Sequence, residues 1–320
     1  MHMSFLHFGR CYSALRLRFS SAFHFAQPPL NAELVCYTFF MREERDSQTE
    51  ESKMISEVWY TYLTTGGNLK GMKLPWYEHP LFKPVFRVLP SAPRCHICYI
   101  PFKGIGGFIA RHLLDVKPSN MNPHMCDTCE RFAERYPGGT EIEITILFAD
   151  IRGSTPLAEK LGRKEYSELI HRFYRAGTKP LYSNYAFIEK FVGDGLTAFF
   201  SPAFAGPNHA LTAIKAGREI LHATGHGAGK TPWIPVGIGI NTGVAYIGSM
   251  KMEGGRTDIT ILGDVVNTTA RLCSQAAAGE LLVGERAMEV SGLPRDEHEV
   301  RSLSLKGKSE TVNAWVVRER

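Results

Sequence analysis

Beyond Gly139 the apolar residues fall into short runs separated by stretches of helical spacing, and the order of the two is regular. The run EIEITILFA, ending at Ala149, is rich in β-branched and apolar residues and reads as a strand. After it, Thr155 as N-cap and Pro156 in the first turn open a helix that carries Leu157, Leu161, Tyr166, Leu169, Ile170 and Phe173 along one stripe. FIEKF and LTAFF then flank Gly193-Asp194-Gly195, whose residue types suit a tight hairpin tip. A helix is expected over NHALTAIKAGREILHA, followed by WIPVGIGI and VAYIGSM joined by a hairpin turn at Asn241-Thr242-Gly243. TDITIL leads through Gly263-Asp264 into a helix from Val265 to Ala278, and ELLVG, HEVRSLSL and AWVV close the chain as short strands. This order predicts an α+β domain over 140–320 with a ferredoxin-like β-α-β-β-α-β core, and it does not suit an all-parallel sheet.

The pattern before Gly139 is weaker. Residues 1–50 carry Arg10, Arg16 and Arg18 with Ser and Phe, and no acid before Glu33. They resemble an organelle transit peptide or else a disordered upstream extension, and the extension is the expectation, with Met41 or Met54 as later starts. Across 51–89 one helix is expected at SEVWYTYLTTGG, stopped by Gly66 and Gly67. Residues 90–137 contain two close cysteine pairs, Cys95 with Cys98 and Cys126 with Cys129. Each CxxC turn directs two thiolates to the same side, so the four can complete a tetrahedral shell around zinc. An Fe–S cluster takes the same four ligands, and a redox-active CxxC needs one pair, so those uses stay open. The segment is expected to be a small metal-held module, with Pro137-Gly138-Gly139 as the hinge to the larger domain.

Composition narrows the classes of function. Of 320 residues, 44% are hydrophobic and 22% charged, which is normal for a folded domain with a sizeable core. The net charge of +5 is a mild basic bias without the clustered stripes of a nucleic-acid footprint. No run approaches the roughly 18 to 20 apolar residues that span a bilayer, and a cytoplasmic protein is expected.

Two aspartates carry the candidate chemistry. In the expected core the first strand and the Gly193–Gly195 hairpin lie side by side, so Asp150 and Asp194 can converge on one point. Paired carboxylates with oxygen neighbours suit Mg²⁺ or Mn²⁺, and two such ions can bridge a triphosphate. Beside Asp150, the loop Gly153-Ser154-Thr155 opens a helix whose free N–H groups suit phosphates. Farther on, Asn267 and Arg271 stand four apart on one helix face, and the planar guanidinium of Arg271 suits a phosphoryl transition state.

The stretches LFADIRGST, KFVGDGL, VGIGINTG, TILGDVVNTTARL and LKGK, met in this order between Glu143 and Val317, resemble the class III adenylyl and guanylyl cyclases. The resemblance implies that Asp150 and Asp194, with the Ile151 backbone, hold two Mg²⁺ or Mn²⁺ ions. It implies base reading by Lys190 and Thr260, ribose orientation by Asn267, charge stabilisation by Arg271, and phosphate contact by Lys306. The Lys/Thr pair is similar to an adenylyl subgroup that includes bicarbonate-responsive cyclases; guanine readers have glutamate and cysteine there. The implied activity is conversion of ATP to 3′,5′-cyclic AMP and pyrophosphate at sites shared across a homodimer. A guanylate cyclase of the same fold, or a catalytically weak nucleotide-sensing module, is the alternative.

Overall fold

The computed structural model describes residues 49–65, 94–95, 98, 100–119, 125–227, 231–251, 257–304 and 311–318. The expectations for residues 1–48, for the stop at Gly66 and for Lys306 lie outside the described residues. Residues 1–54 and 55–320 form separate compact units, and the described part of the first is the opening of a helix, α1, over 49–65. There Lys53 pairs with Glu50 at 2.8 Å on the exposed surface.

Within the larger unit, α2 (Gly104–Leu113) and α3 (Asp127–Arg135) precede β1 (Gly138–Ile151). Two helices, α4 (Ser154–Leu161) and α5 (Arg163–Ser183), lead to the hairpin β2 (Phe187–Val192) and β3 (Gly195–Phe200). The short α6 (Pro202–Ala205) and α7 (His209–Ala223) precede β4 (Val236–Lys251), β5 (Thr257–Leu262) and α8 (Asp264–Gln275). The chain ends in β6 (Glu280–Gly284), α9 (Glu285–Ser291), β7 (Glu299–Leu303) and β8 (Val312–Arg318). The strands form one sheet in the order β2-β3-β1-β4-β6-β8-β7, with β5 paired to β4. β1, β2, β3 and β4 with their helices make the expected β-α-β-β-α-β core.

Alternation along β1 divides the core in two. Leu147, Ala149 and Ile151 face Phe173 of α5, Ile214 and Ile220 of α7 and Met288 of α9. Ile142, Ile144 and Ile146 face the other way and join one cluster with Trp59, Tyr62, the four cysteines, Ile100 and Ala133, and Val265 of α8. Burying an apolar side chain on either face contributes on the order of 1.5–3 kcal/mol. The cysteine segment is therefore part of the main sheet's own packing. Trp59 Nε1 donates to the Tyr136 carbonyl at 2.9 Å, and Ser249 Oγ donates to the Ala133 carbonyl at 2.9 Å.

Three local expectations are corrected. Asn241-Thr242-Gly243 is no turn, because β4 runs unbroken for 16 residues and pairs with the whole of β1, Asn241 opposite Ile146 and Gly243 opposite Ile144. A buried polar triplet explains why the chain stays extended: Thr145 Oγ1 lies 2.7 Å from Thr242 Oγ1 and 2.8 Å from His209 Nδ1. The helix expected from Thr155 begins at Ser154 with Gly153 as its N-cap, and it breaks at Gly162, whose φ of 75° a helix cannot contain. Gly138 and Gly139 are strand residues and no hinge. A Cβ on Gly139 would stand 2.1 Å from the Ile247 carbonyl oxygen, and one on Gly248 2.3 Å from that of Gly138, so glycine lets the two backbones meet.

Candidate active site

Asp150 is the penultimate residue of β1 and stands opposite Gly195 of β3. Its Oδ1 is 3.2 Å from the point a Gly195 Cβ would occupy, so a side chain at Gly195 would crowd the carboxylate. Asp194 precedes that glycine at the β2–β3 tip, and its carbonyl accepts from the Ile151 N–H at 3.3 Å. The two aspartates thus meet where sequence reasoning put them. Their charges interact: burial pushes the Asp150 carboxyl up, Arg152 pulls it down, and the charge on Asp194 pushes it up again. The phenols of Tyr166 and Tyr174 are raised first by burial and then by the charge of Asp194, and Tyr174 donates to the Gly193 carbonyl at 2.5 Å. Gly153, Ser154 and Thr155 follow at the start of α4, next in the chain to this acidic pair.

Arg152 is a neighbour that the motif reading passed over. Its guanidinium binds the Asp150 carboxylate and donates to the carbonyls of Cys273 at 3.2 Å and Ser274 at 3.4 Å, in the last turn of α8. One side chain therefore offsets the Asp150 charge and adds a donor to carbonyls at a helix end.

On the other side of β2 a second group forms. The ladder between β2 and β3 slips between Ile188 and Lys190, leaving Glu189 as the extra residue of a bulge. The Glu189 side chain is 3% exposed, and Thr260 Oγ1 donates to its Oε1 at 3.0 Å. Lys190 Nζ stands 3.2 Å from the same oxygen, and the Ile261 N–H 3.4 Å. Lys190 and Thr260, 70 positions apart, are thus joined through a residue that no motif singled out. Its only signal in the sequence is its place beside Lys190. Asn267 is exposed and Arg271 half-buried on α8, and neither makes a side-chain hydrogen bond or ion pair to a described residue.

A family model, the adenylate and guanylate cyclase catalytic domain, matches residues 139–318. The chain belongs to that family. Its mixed sheet with helices on both faces is the fold of that catalytic domain. Among its relatives, "Adenylate cyclase, terminal-differentiation specific" of Dictyostelium discoideum is 32% identical over 183 residues, covering 54% of this chain and 8% of the relative. "Adenylate cyclase" of Anabaena cylindrica is 28% identical over 185 residues, covering 55% of this chain and 36% of the relative. The match thus spans a small part of each relative's length. The crystal structure of the guanylyl cyclase Cya2 is similar at 29% identity with a TM-score of 0.50, covering 56% of this chain and 93% of that one. Both base specificities occur among the neighbours, so the cyclase chemistry is common ground and the base is not.

The four cysteines lie before the matched region and come together in the fold. Their sulfurs all lie within 4.8 Å of one another, every residue is buried, and Cys98 Sγ is 3.6 Å from Cys126 Sγ. Burial works against a charge on Cys95, but hydrogen bonds from Cys126, Cys129 and Cys98 hold its thiol well below the ordinary range. Hydrogen bonding with Cys126 raises Cys98 and Cys129. Four buried sulfurs this close form a set that could hold a metal ion. Cys273, the remaining described cysteine, is pushed up to about 12 by burial, and its Sγ donates to the Gly237 carbonyl at 3.5 Å. Among the described residues no helix is long and apolar enough to cross a membrane.

Proposed function

We propose that the protein is an adenylate cyclase working in the cytoplasm as a homodimer. The observation that carries this reading is the meeting of Asp150, near the end of β1, with Asp194, in the β2–β3 turn beside the Gly195 that pairs with Asp150. Their all-oxygen donor set fits two Mg²⁺ or Mn²⁺ ions, with the Ile151 backbone completing it; when bound, such ions supply Lewis acidity and countercharge for a triphosphate. Arg152, paired with Asp150, also donates to two carbonyls on α8, which would hold its guanidinium if Asp150 bound a metal ion.

In the proposed reaction the ribose 3′-hydroxyl gives up its proton to solvent and attacks the α-phosphate, the new 3′-ester bond forms, the bond from the α-phosphorus to the bridging oxygen breaks, and pyrophosphate leaves. Lys190 donates to adenine N1 and Thr260 accepts from its exocyclic amine. Asn267 orients the ribose, and Arg271 meets charge developing on the α-phosphate, where a preorganised cation is worth most. Gly153, Ser154 and Thr155 face the outer phosphates through N–H groups at the start of α4, joined by Lys306. The metal ligands and the Lys190, Thr260, Asn267 and Arg271 group act from opposite protomers, so a symmetric pair of chains completes two sites. The exposed side chains Val244, Met250 and Leu262 on the β4–β5 ribbon suit such a contact.

At the cysteines the proposed ion is a single Zn²⁺. Four thiolates about 2.3 Å from one zinc stand roughly 3.8 Å apart, a spacing that the sulfur separations here approach. A cluster interposes several irons and sulfides and spreads its thiolates wider. A zinc-thiolate site and an ATP substrate both suit the reducing cytoplasm. The direct test is turnover of ATP and of GTP by the purified full chain with Mn²⁺, the product identified by mass. Cyclic AMP as the dominant product supports the reading, and faster GTP turnover refutes it.

A further inference from the structure

A threonine hydroxyl is ambivalent, since it can donate one hydrogen bond or accept two. At a base-reading position it can therefore accept from the adenine amine or donate to the guanine carbonyl, and alone it discriminates poorly. In this fold the ambivalence is removed by a neighbour. Glu189 is an acceptor-only carboxylate, buried by the β2 bulge, and Thr260 spends its one proton on Glu189 Oε1 at 3.0 Å. The backbone N–H of Ile261, beside Thr260, points at the same oxygen and keeps the carboxylate in register with β5. What Thr260 then offers a ligand is lone pairs alone. Lys190 Nζ, on the other side of Oε1, offers N–H groups alone.

We propose that Glu189 is the positioning residue that sets base choice, by fixing Thr260 as an acceptor beside the Lys190 donor. The inference rests on the reading of Lys190 and Thr260 as the base-contacting pair. Adenine's Watson–Crick edge, amine donor beside N1 acceptor, complements that acceptor and donor. Guanine presents the reverse, a carbonyl against the Thr260 lone pairs and an N1–H against the ammonium, so both contacts fail. A second observation marks the group as built for more than packing: Glu189 Oε2 is buried with no hydrogen-bond partner among the described residues. A charged side chain left half-satisfied is costly in an apolar setting. Its retention beside two base-facing residues, where Met or Leu would pack without that cost, is accounted for by control of the Thr260 proton.

The test is a double-substitution cycle read as the ratio of kcat/KM for ATP to that for GTP, with Glu189→Met, Thr260→Val and both together. Glu189→Met is expected to lower the ratio by about tenfold or more, with GTP turnover rising in absolute terms and the ATP loss falling mainly on KM. In the Thr260→Val background the same change should leave the ratio unaltered, because there is no hydroxyl to orient. An equal loss for both nucleotides, or the same drop in both backgrounds, would overturn the proposal. Should Glu189→Met not fold, Glu189→Gln serves: its carbonyl still accepts from Thr260 and from the Ile261 N–H, so the ratio is expected to hold, and a fall as large as that expected for Glu189→Met would assign the effect to charge and overturn the idea. An unmodified chain that prefers GTP would instead contradict the adenine reading itself, which keeps the two failures apart.

Discussion

Asp150 shows how one residue's surroundings make it usable. Held between a buried strand end, the Arg152 cation and the Asp194 charge, its carboxyl is pushed up by burial, pulled down by Arg152 and pushed up again by Asp194. Arg271 is poised differently, half-buried on α8 with no ion pair to a described residue, so its charge is available to a ligand. Replacing Arg271 with Ala should lower kcat for ATP by about 10²–10³-fold with a small change in KM, since the contact matters most in the transition state. Steady-state kinetics at saturating Mn²⁺ check this; a loss confined to KM would instead make Arg271 a ground-state binder. Both residues stand in motifs that single them out in the sequence. Glu189 and Arg152 were not, because their roles depend on a β-bulge and on where the end of α8 comes to rest.

Among the elements, the strands and most helix bodies could be read directly, since apolar runs such as ELLVG are buried throughout and must be strand or core. What misled was local turn chemistry. Asn241-Thr242-Gly243 has hairpin-like residues, yet pairing with all of β1 and the Thr145–Thr242–His209 contacts outweigh a two-residue turn preference. Glycines at 138 and 139 suggested a hinge, whereas they serve the close approach of β1 and β4. Gly139→Ala should therefore destabilise the fold by about 3 kcal/mol, seen as a lower denaturant midpoint at unchanged slope. A flexible linker would tolerate the change. The cysteine segment makes a parallel case: Cys126 is the N-cap of α3 as well as a cluster member, accepting from the Cys129 N–H at 3.4 Å. Cys126→Ser should abolish zinc in the purified protein, measured by elemental analysis, and lower Tm by several degrees, because the same cluster packs Ile142, Ile144 and Ile146 of β1. A metal-free chain of unchanged Tm would remove zinc from the account.

At the scale of the whole molecule, the C-terminal strands are locked to the sheet by one buried acid. Glu280, at the start of β6, accepts from Arg301 of β7 at 2.8 Å and from Arg318 of β8 at 2.8 Å. The Arg301 hydrogen bond leads in holding its pKa near 2 against an ordinary 4.5. A folded pKa below the unfolded one means that the stabilisation is complete above about pH 4.5 and is lost as pH falls toward 2. Glu280→Gln should cost about 2 kcal/mol at neutral pH, with the difference from the unmodified chain shrinking through that acid window in urea titrations. A difference that did not vary with pH would contradict the linkage. The central claim concerns assembly: each chain carries two half-sites, the Asp150 and Asp194 pair and the Lys190, Thr260 and Arg271 group, and they meet across a dimer. The most direct measurement mixes an inactive Asp150→Ala chain with an inactive Arg271→Ala chain and assays cyclic AMP formation. Random pairing makes half the dimers mixed, each with one intact site, so the account predicts recovery of about one quarter of the unmodified activity. No recovery from mixtures shown to exchange subunits would contradict it.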